Sequence, residues 1–238
     1  MYLYHPSISK LDPNKNVFVI STMADSNKYN YLVIEGNIGA GKTTLAGMIA
    51  EKFNARLILE QFEENPFLPK FYEDPSRYSF PVELSFLAAR YHQLHKELTS
   101  PDLFKSFTVA DYFFSKSLIF SQITLQVDEF NLYRTLFDII HKQLPKPDLY
   151  VYLHVSVEKL LSNIRQRGRE YEKDISAEYL EKLQKGYFEY LRSLPGQRIL
   201  ILDVNELDFV SKEPDYLSIE RTIFEGEYGI GLNRMQLP

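Results

Sequence analysis

The strongest constraint on this chain is Tyr31-Leu32-Val33-Ile34-Glu35-Gly36-Asn37-Ile38-Gly39-Ala40-Gly41-Lys42-Thr43-Thr44. A short apolar run reads as a buried strand, Gly36 to Thr43 satisfies G-x-x-x-x-G-K-[ST] in full, and Leu45 to Phe53 continues with helix formers. Strand, glycine loop and helix in that order make the pattern a phosphate-binding loop. Glycines let backbone N–H groups turn inward around a phosphate chain, and the helix N-terminus adds its positive dipole end. Gly36, Asn37, Ile38, Gly39, Ala40, Gly41, Lys42, Thr43 and Thr44 are therefore expected to bind a nucleoside triphosphate. Lys42 should reach the β/γ-phosphates and the Thr43 hydroxyl should sit on Mg²⁺.

The rest of the chain fits an α/β protein built around that loop. Its 238 residues, 45% hydrophobic and 25% charged, suit one globular domain. A net charge of −5 argues against an extended nucleic-acid surface. The sequence has no cysteine, which excludes disulfides, thiolate metal sites and cysteine nucleophiles. No apolar run approaches the roughly 20 residues of a membrane span, and no signal-type apolar stretch opens the chain. The expectation is a soluble, cytoplasmic protein that binds neither membrane nor nucleic-acid polymer.

Read in order, residues 1–30 form an N-terminal extension, with Val17-Phe18-Val19-Ile20 as an added edge strand or part of a loose arm. Ala55 to Glu60 is a second strand and Phe107 to Asp111 a third, each ending on a carboxylate. Residues 61–70 are loop, Pro81 opens a helix running to Leu98, and 118–144 is a long helical region broken near Asp128. Asp148 to Val155 and Arg198 to Val204 are further strands, with helices over 157–167 and from Ser176 to about Leu194. Alternation of strand and helix implies a parallel sheet flanked by helices. Ligands bind at the carboxyl ends of such strands, so Gly36, Glu60 and Asp111 should converge on one cleft. The catalytic unit spans 31–210, and 211–238 is a C-terminal extension to which no element is assigned.

A phosphate-binding loop leaves the reaction open. A GTPase would want N-K-x-D, of which Lys146-Pro147-Asp148 is a fragment, and a motor ATPase would want a longer apolar run before its aspartate than Phe107–Asp111 offers. Phosphoryl transfer to a small molecule needs a phosphate clamp, a base and a lid, and Arg165-Gln166-Arg167-Gly168-Arg169-Glu170-Tyr171-Glu172 suits the lid. Arginines there can neutralise charge on a transferring phosphoryl group. By itself such a run would more often be a solvated turn.

The combination resembles the deoxynucleoside kinase family that includes deoxycytidine, deoxyguanosine and deoxyadenosine kinases. It rests on E-G-N-I-G-A-G-K-T-T at 35–44, Glu60, Phe71-Tyr72-Glu73-Asp74-Pro75, Phe80 through Arg90, Arg167-Gly168-Arg169 and Glu178-Tyr179-Leu180-Glu181-Lys182-Leu183. The resemblance implies a P-loop kinase fold with an arginine-rich lid, Mg²⁺ with ATP as donor, a deoxynucleoside as acceptor, and a homodimer. It implies Glu60 as general base for the sugar 5′-hydroxyl, Tyr72 and Glu172 on the 3′-hydroxyl, Arg167 and Arg169 on the phosphates, and Arg90 near the base.

Two positions depart from the family pattern. Glu83 replaces a base-reading glutamine, and an ionised carboxylate only accepts hydrogen bonds. It could take an exocyclic amine, of adenine or cytosine, or two guanine N–H groups, and it disfavours thymine. A purine acceptor is expected, deoxyadenosine ahead of deoxyguanosine. Asp111-Tyr112-Phe113 stands where an acidic residue and an arginine are usual. Asp111 keeps the acidic role near Mg²⁺ or Lys42, and Lys116 can stand in for the arginine. The alternatives are a nucleoside monophosphate kinase of thymidylate type, which would need basic rather than acidic acceptor-pocket residues, and a non-catalytic nucleotide-binding regulator.

Overall fold

The computed structural model describes residues 28–61, 65–100, 102–194 and 196–237; the side chains of Tyr72 and Tyr171 lie outside the described residues, as do residues 1–27 and with them the expected Val17–Ile20 strand. The elements are β1 (Tyr31–Gly36), α1 (Lys42–Lys52), β2 (Arg56–Ile58), α2 (Leu68–Glu73), α3 (Pro75–Thr99), β3 (Thr108–Ala110), α4 (Ser115–Thr124), α5 (Val127–His141), β4 (Leu149–His154), α6 (Val157–Arg167), α7 (Ala177–Ser193), β5 (Arg198–Asp203), α8 (Glu213–Glu225) and β6 (Gly231–Gln236), with a single 3-10 turn at Glu170–Glu172. The six strands form one sheet in the order β2-β3-β1-β4-β5-β6, and every pairing is parallel.

Strand periodicity builds a core on each face. Leu32 and Ile34 of β1, Leu149, Val151 and Leu153 of β4, and Leu200 and Leu202 of β5 pack with α1, α6 and α8. The intervening Tyr31 and Val33, Tyr150 and Tyr152, and Ile199 and Ile201 pack with α3, α4, α5 and α7. Strands buried on both faces read as continuous apolar runs, which is why β1, β4 and β5 are visible in the sequence.

Two features differ from the sequence reading, and one expected break is located. α3 begins at Pro75, not Pro81: the Asp74 side chain accepts from Arg77 N at 3.2 Å and Pro75 takes the first helical position, leaving Pro81 in the helix interior. The break expected near Asp128 falls at Leu125–Gln126, because Gln126 and Glu129 form a capping box that starts α5. Residues 211–237 carry α8 and β6, and β6 pairs with β5 along its whole length. Among the described residues, no helix is long and apolar enough to cross a membrane.

Candidate active site

The carboxyl ends of β1, β2 and β3 open onto a cleft of about 1140 Å³. On its floor the loop from Gly36 to Gly41 turns into α1. Gly39 and Gly41 have φ of 83° and 85°, the left-handed region that glycine enters freely. A Cβ at Gly39 would also meet the Leu160 carbonyl oxygen at 2.9 Å. Asn37 is buried and fastens the loop from beneath: its amide donates to the Leu180 carbonyl at 2.8 Å, and its side-chain oxygen accepts from Ile38 N at 2.8 Å. Lys42 Nζ donates to the Asn37 carbonyl at 2.9 Å. Burial, then the neighbouring Lys116 charge, bring Lys42 down to about 8. Ile38, Gly39, Lys42 and Thr43 line the cleft, whereas Ala40 is buried and Thr44 lies exposed on α1 outside the lining.

Asp111, one residue past β3, joins two of the expected positions. Its Oδ2 accepts from Thr43 Oγ1 at 2.5 Å and its Oδ1 from Glu60 N at 2.8 Å. A hydroxyl beside a carboxylate is the all-oxygen donor set that Mg²⁺ takes, with phosphates and water completing its shell. The pair fits that ion.

Glu60 is held between two cations. Its Oε1 accepts from Arg90 Nε at 3.0 Å and from Nη2 at 2.8 Å, and its Oε2 from Lys116 Nζ at 2.5 Å. Burial would raise its pKa, but Lys116 and Arg90 outweigh that and set it at about 2. Arg90 also donates to Ser117 Oγ at 2.9 Å and faces the Phe86 ring at 4.8 Å. Tyr112, at the family's arginine position, is fully buried with its hydroxyl donating to Gln93 at 2.8 Å, and Lys116 occupies the cleft.

Glu83, on the face of α3 that also carries Arg90, is buried and lines the same cleft with Phe86 and Phe120. The lid follows α6, whose C-cap Gly168 has φ 71°. Glu172 is buried and receives both lid arginines, Arg167 Nε at 3.0 Å and Arg169 Nη1 at 3.5 Å. Arg165 is exposed and outside the lining. Tyr72 lies on α2, its side chain outside the described residues.

Sequence reasoning gave no role to Glu35, Ser117 or Thr124. Glu35 is fully buried beneath the loop, accepting from Phe113 N at 2.9 Å, Gly36 N at 3.2 Å and the Tyr187 hydroxyl at 3.1 Å, so it ties the loop to the β3–α4 junction. Burial raises its pKa, while Lys116 and Lys42 oppose the shift. The glutamate opening the loop motif was a visible signal; Ser117 and Thr124 carry none. A smaller hollow of about 480 Å³ at the ends of β5 and β6 contains none of these groups.

A sequence profile described as "Deoxynucleoside kinase" matches residues 32–225. Deoxyguanosine kinase of Bacillus subtilis (strain 168) is 38% identical over 205 residues, which is 84% of this chain and 98% of that protein. Deoxyadenosine kinase of Dictyostelium discoideum is 34% identical over 185 residues, 77% of this chain and 75% of that one. Among solved structures, deoxyadenosine kinase from M. mycoides with bound dATP superposes with a TM-score of 0.70 at 26% identity, covering 81% of this chain and 98% of the other.

Proposed function

The chain belongs to the deoxynucleoside kinase family and is an ATP-dependent phosphotransferase acting on deoxynucleosides, and from that premise we propose that its acceptor is a purine deoxynucleoside, phosphorylated at the 5′-hydroxyl with Glu60 as the base. The observation that carries the reading is a carboxylate, Glu60, on the wall of the cleft that Lys42 and Glu83 also line. A neutral nucleoside needs no further cation there, whereas a monophosphate acceptor would compete with Glu60 for Arg90 and Lys116.

Gly36 to Thr43 cradle the triphosphate, with Lys42 on the β/γ-phosphates. Mg²⁺, held by Thr43 and Asp111 with phosphate oxygens, would neutralise charge that develops there. Arg167 and Arg169 turn from Glu172 to the triphosphate, and Glu172 and Tyr72 hold the 3′-hydroxyl. Deprotonation of the hydroxyl is late in a loose phosphoryl-transfer transition state, so a weak but well-placed base suffices. The 5′-hydroxyl takes the Lys116 place on Glu60 Oε2. That exchange raises the Glu60 pKa and frees the Lys116 ammonium for the transferring phosphoryl oxygens, while Arg90 keeps Glu60 in register. A homodimer through the helices flanking the cleft and a cytoplasmic location, which a cysteine-free chain suits, complete the proposal.

The test is ATP-dependent turnover of the common deoxynucleosides beside their monophosphates. Purine deoxynucleosides should be the best acceptors. Turnover of monophosphates alone would move the chain to the thymidylate-type reading.

A further inference from the structure

Resting on the reading of this cleft as a deoxynucleoside site, a finer inference concerns what Glu83 detects. Glu83 is 5% exposed. Its Oε1 accepts from Thr124 Oγ1 at 2.9 Å, while Oε2 is buried without a hydrogen-bond partner among the described groups. A buried oxygen left unbonded is costly, and because Glu83 lines the cleft, the missing donor can come from a ligand. Phe86 and Phe120 line the cleft with it, apolar faces suited to a flat heterocycle. Arg90 gives N–H groups to Glu60 and Ser117 and keeps others.

We propose that Glu83 reads the Watson–Crick edge of a purine and that its protonation state chooses the base, the carboxylate taking guanine and the carboxylic acid taking adenine. Guanine offers N1–H and the 2-amino group side by side, two donors for a carboxylate that only accepts. Its O6 is then left for a donor such as Arg90. Adenine offers N1 as acceptor beside the 6-amino donor. An ionised Glu83 accepts from the amine but sets an oxygen lone pair against N1, whereas the acid donates to N1 and accepts from the amine.

The groups facing Glu83 come from three helices. Arg90 lies on α3, Lys116 and Thr124 lie on α4, and Tyr133 on α5 donates its hydroxyl to the Glu83 carbonyl at 3.3 Å; the lid carboxylates Glu172 and Asp174 rim the same cleft. Burial raises the Glu83 pKa to about 7 against the opposing pull of Arg90, Thr124 and Lys116. Both cations are already engaged by Glu60, so both protonation states of Glu83 are accessible near neutrality.

The experiment is kcat/KM for deoxyguanosine and deoxyadenosine from about pH 6 to about pH 8, on the full chain with saturating Mg²⁺-ATP; kcat/KM reports groups of the free enzyme. Titration of groups common to both reactions, Lys42 among them, cancels in the ratio of the two values. That ratio should rise with pH by up to about a hundredfold across two pH units, the change in the ratio of ionised to protonated acid. Deoxyinosine, which has N1–H but no 2-amine, should fall below deoxyguanosine at the alkaline end. Glu83→Gln, nearly isosteric and fixed as one donor and one acceptor, should favour deoxyadenosine with a flat ratio. Turnover of both nucleosides by the unaltered protein with a ratio constant within about threefold, a shift well below one charge's worth of discrimination, overturns the inference alone. Turnover of neither nucleoside overturns the reading beneath it as well.

Discussion

At Glu60 the fold sets one carboxylate against two cations, and the consequences are measurable residue by residue. Replacing Glu60 with Ala should lower kcat by about 10²–10⁴-fold, the range for a positioned general base, with triphosphate binding nearly intact because Lys42 and the glycine loop are untouched. Near-normal turnover would remove Glu60 from the chemistry. Lys116→Met should lower kcat by about 10²–10³-fold, as loss of one preorganised donor to developing charge does, with KM for the nucleoside little changed. A larger effect on KM than on kcat would make Lys116 a binding group instead. Lys42 supplies a pH test. With its pKa at about 8, it is charged below that value and neutral above it, so kcat/KM for ATP should fall on the alkaline side with a limb near pH 8. Bound triphosphate favours the charged ammonium and should push the limb in kcat upward. Lys116→Met removes a neighbouring positive charge and should move the limb in kcat/KM upward too; an unmoved limb would show that another group titrates.

Elements were legible in the sequence where periodicity and chain punctuation agree. β1, β4 and β5 read as apolar runs because both faces are covered, and Glu60 and Asp111 could be placed because each lies within two residues of the end of a short strand. The start of α3 was misplaced at Pro81, which lies inside the helix; the closed Asp74 cap that starts it at Pro75 exists only in the folded chain. What the sequence could not show is pairing across elements. The Lys116–Glu60–Arg90 arrangement joins three segments far apart in the chain, and the unbonded oxygen of Glu83 exists only once α4 packs on α3. At the lid, Gly168 ends α6 in left-handed geometry, and a Cβ there meets no heavy atom within 4 Å. Gly168→Ala should therefore cost backbone strain alone, about 1–2 kcal/mol, lowering Tm by a few degrees in a chain of this size. Gly168→Asn should lose less, since asparagine tolerates this conformation. Equal losses for the two would mean that the side chain rather than φ is responsible.

For the whole molecule, the deciding feature is the C-terminal segment, in which the sequence shows little. β6 reads Gly231-Leu232-Asn233-Arg234-Met235-Gln236, with Leu232 and Met235 exposed at 44% and 43%, so no buried face marks it as a strand. Yet it pairs in parallel with β5 from Arg198–Gly231 to Asp203–Gln236, and α8 places Tyr216, Ile219 and Ile223 in the core shared with α1 and α6. Leu237 joins them, and the Tyr29 hydroxyl just ahead of β1 donates to the Ile223 carbonyl at 2.9 Å. Burying each of these large side chains contributes about 1.5–3 kcal/mol, an upper estimate because the unfolded chain is already partly collapsed. Together they approach the roughly 5–15 kcal/mol that separates a folded domain from its unfolded state. A chain ending at 210 would also bare the β5 edge, a row of unpaired backbone groups that invites association. The truncated chain should therefore lose its cooperative thermal transition and aggregate, although it keeps every residue assigned to the reaction. Ile219→Ala gives a graded version, with an expected loss of about 2–5 kcal/mol, read by chemical denaturation. A truncated chain that melts at the parent temperature would show that the sheet is complete at β5 and that α8 and β6 are attached to the fold without supporting it.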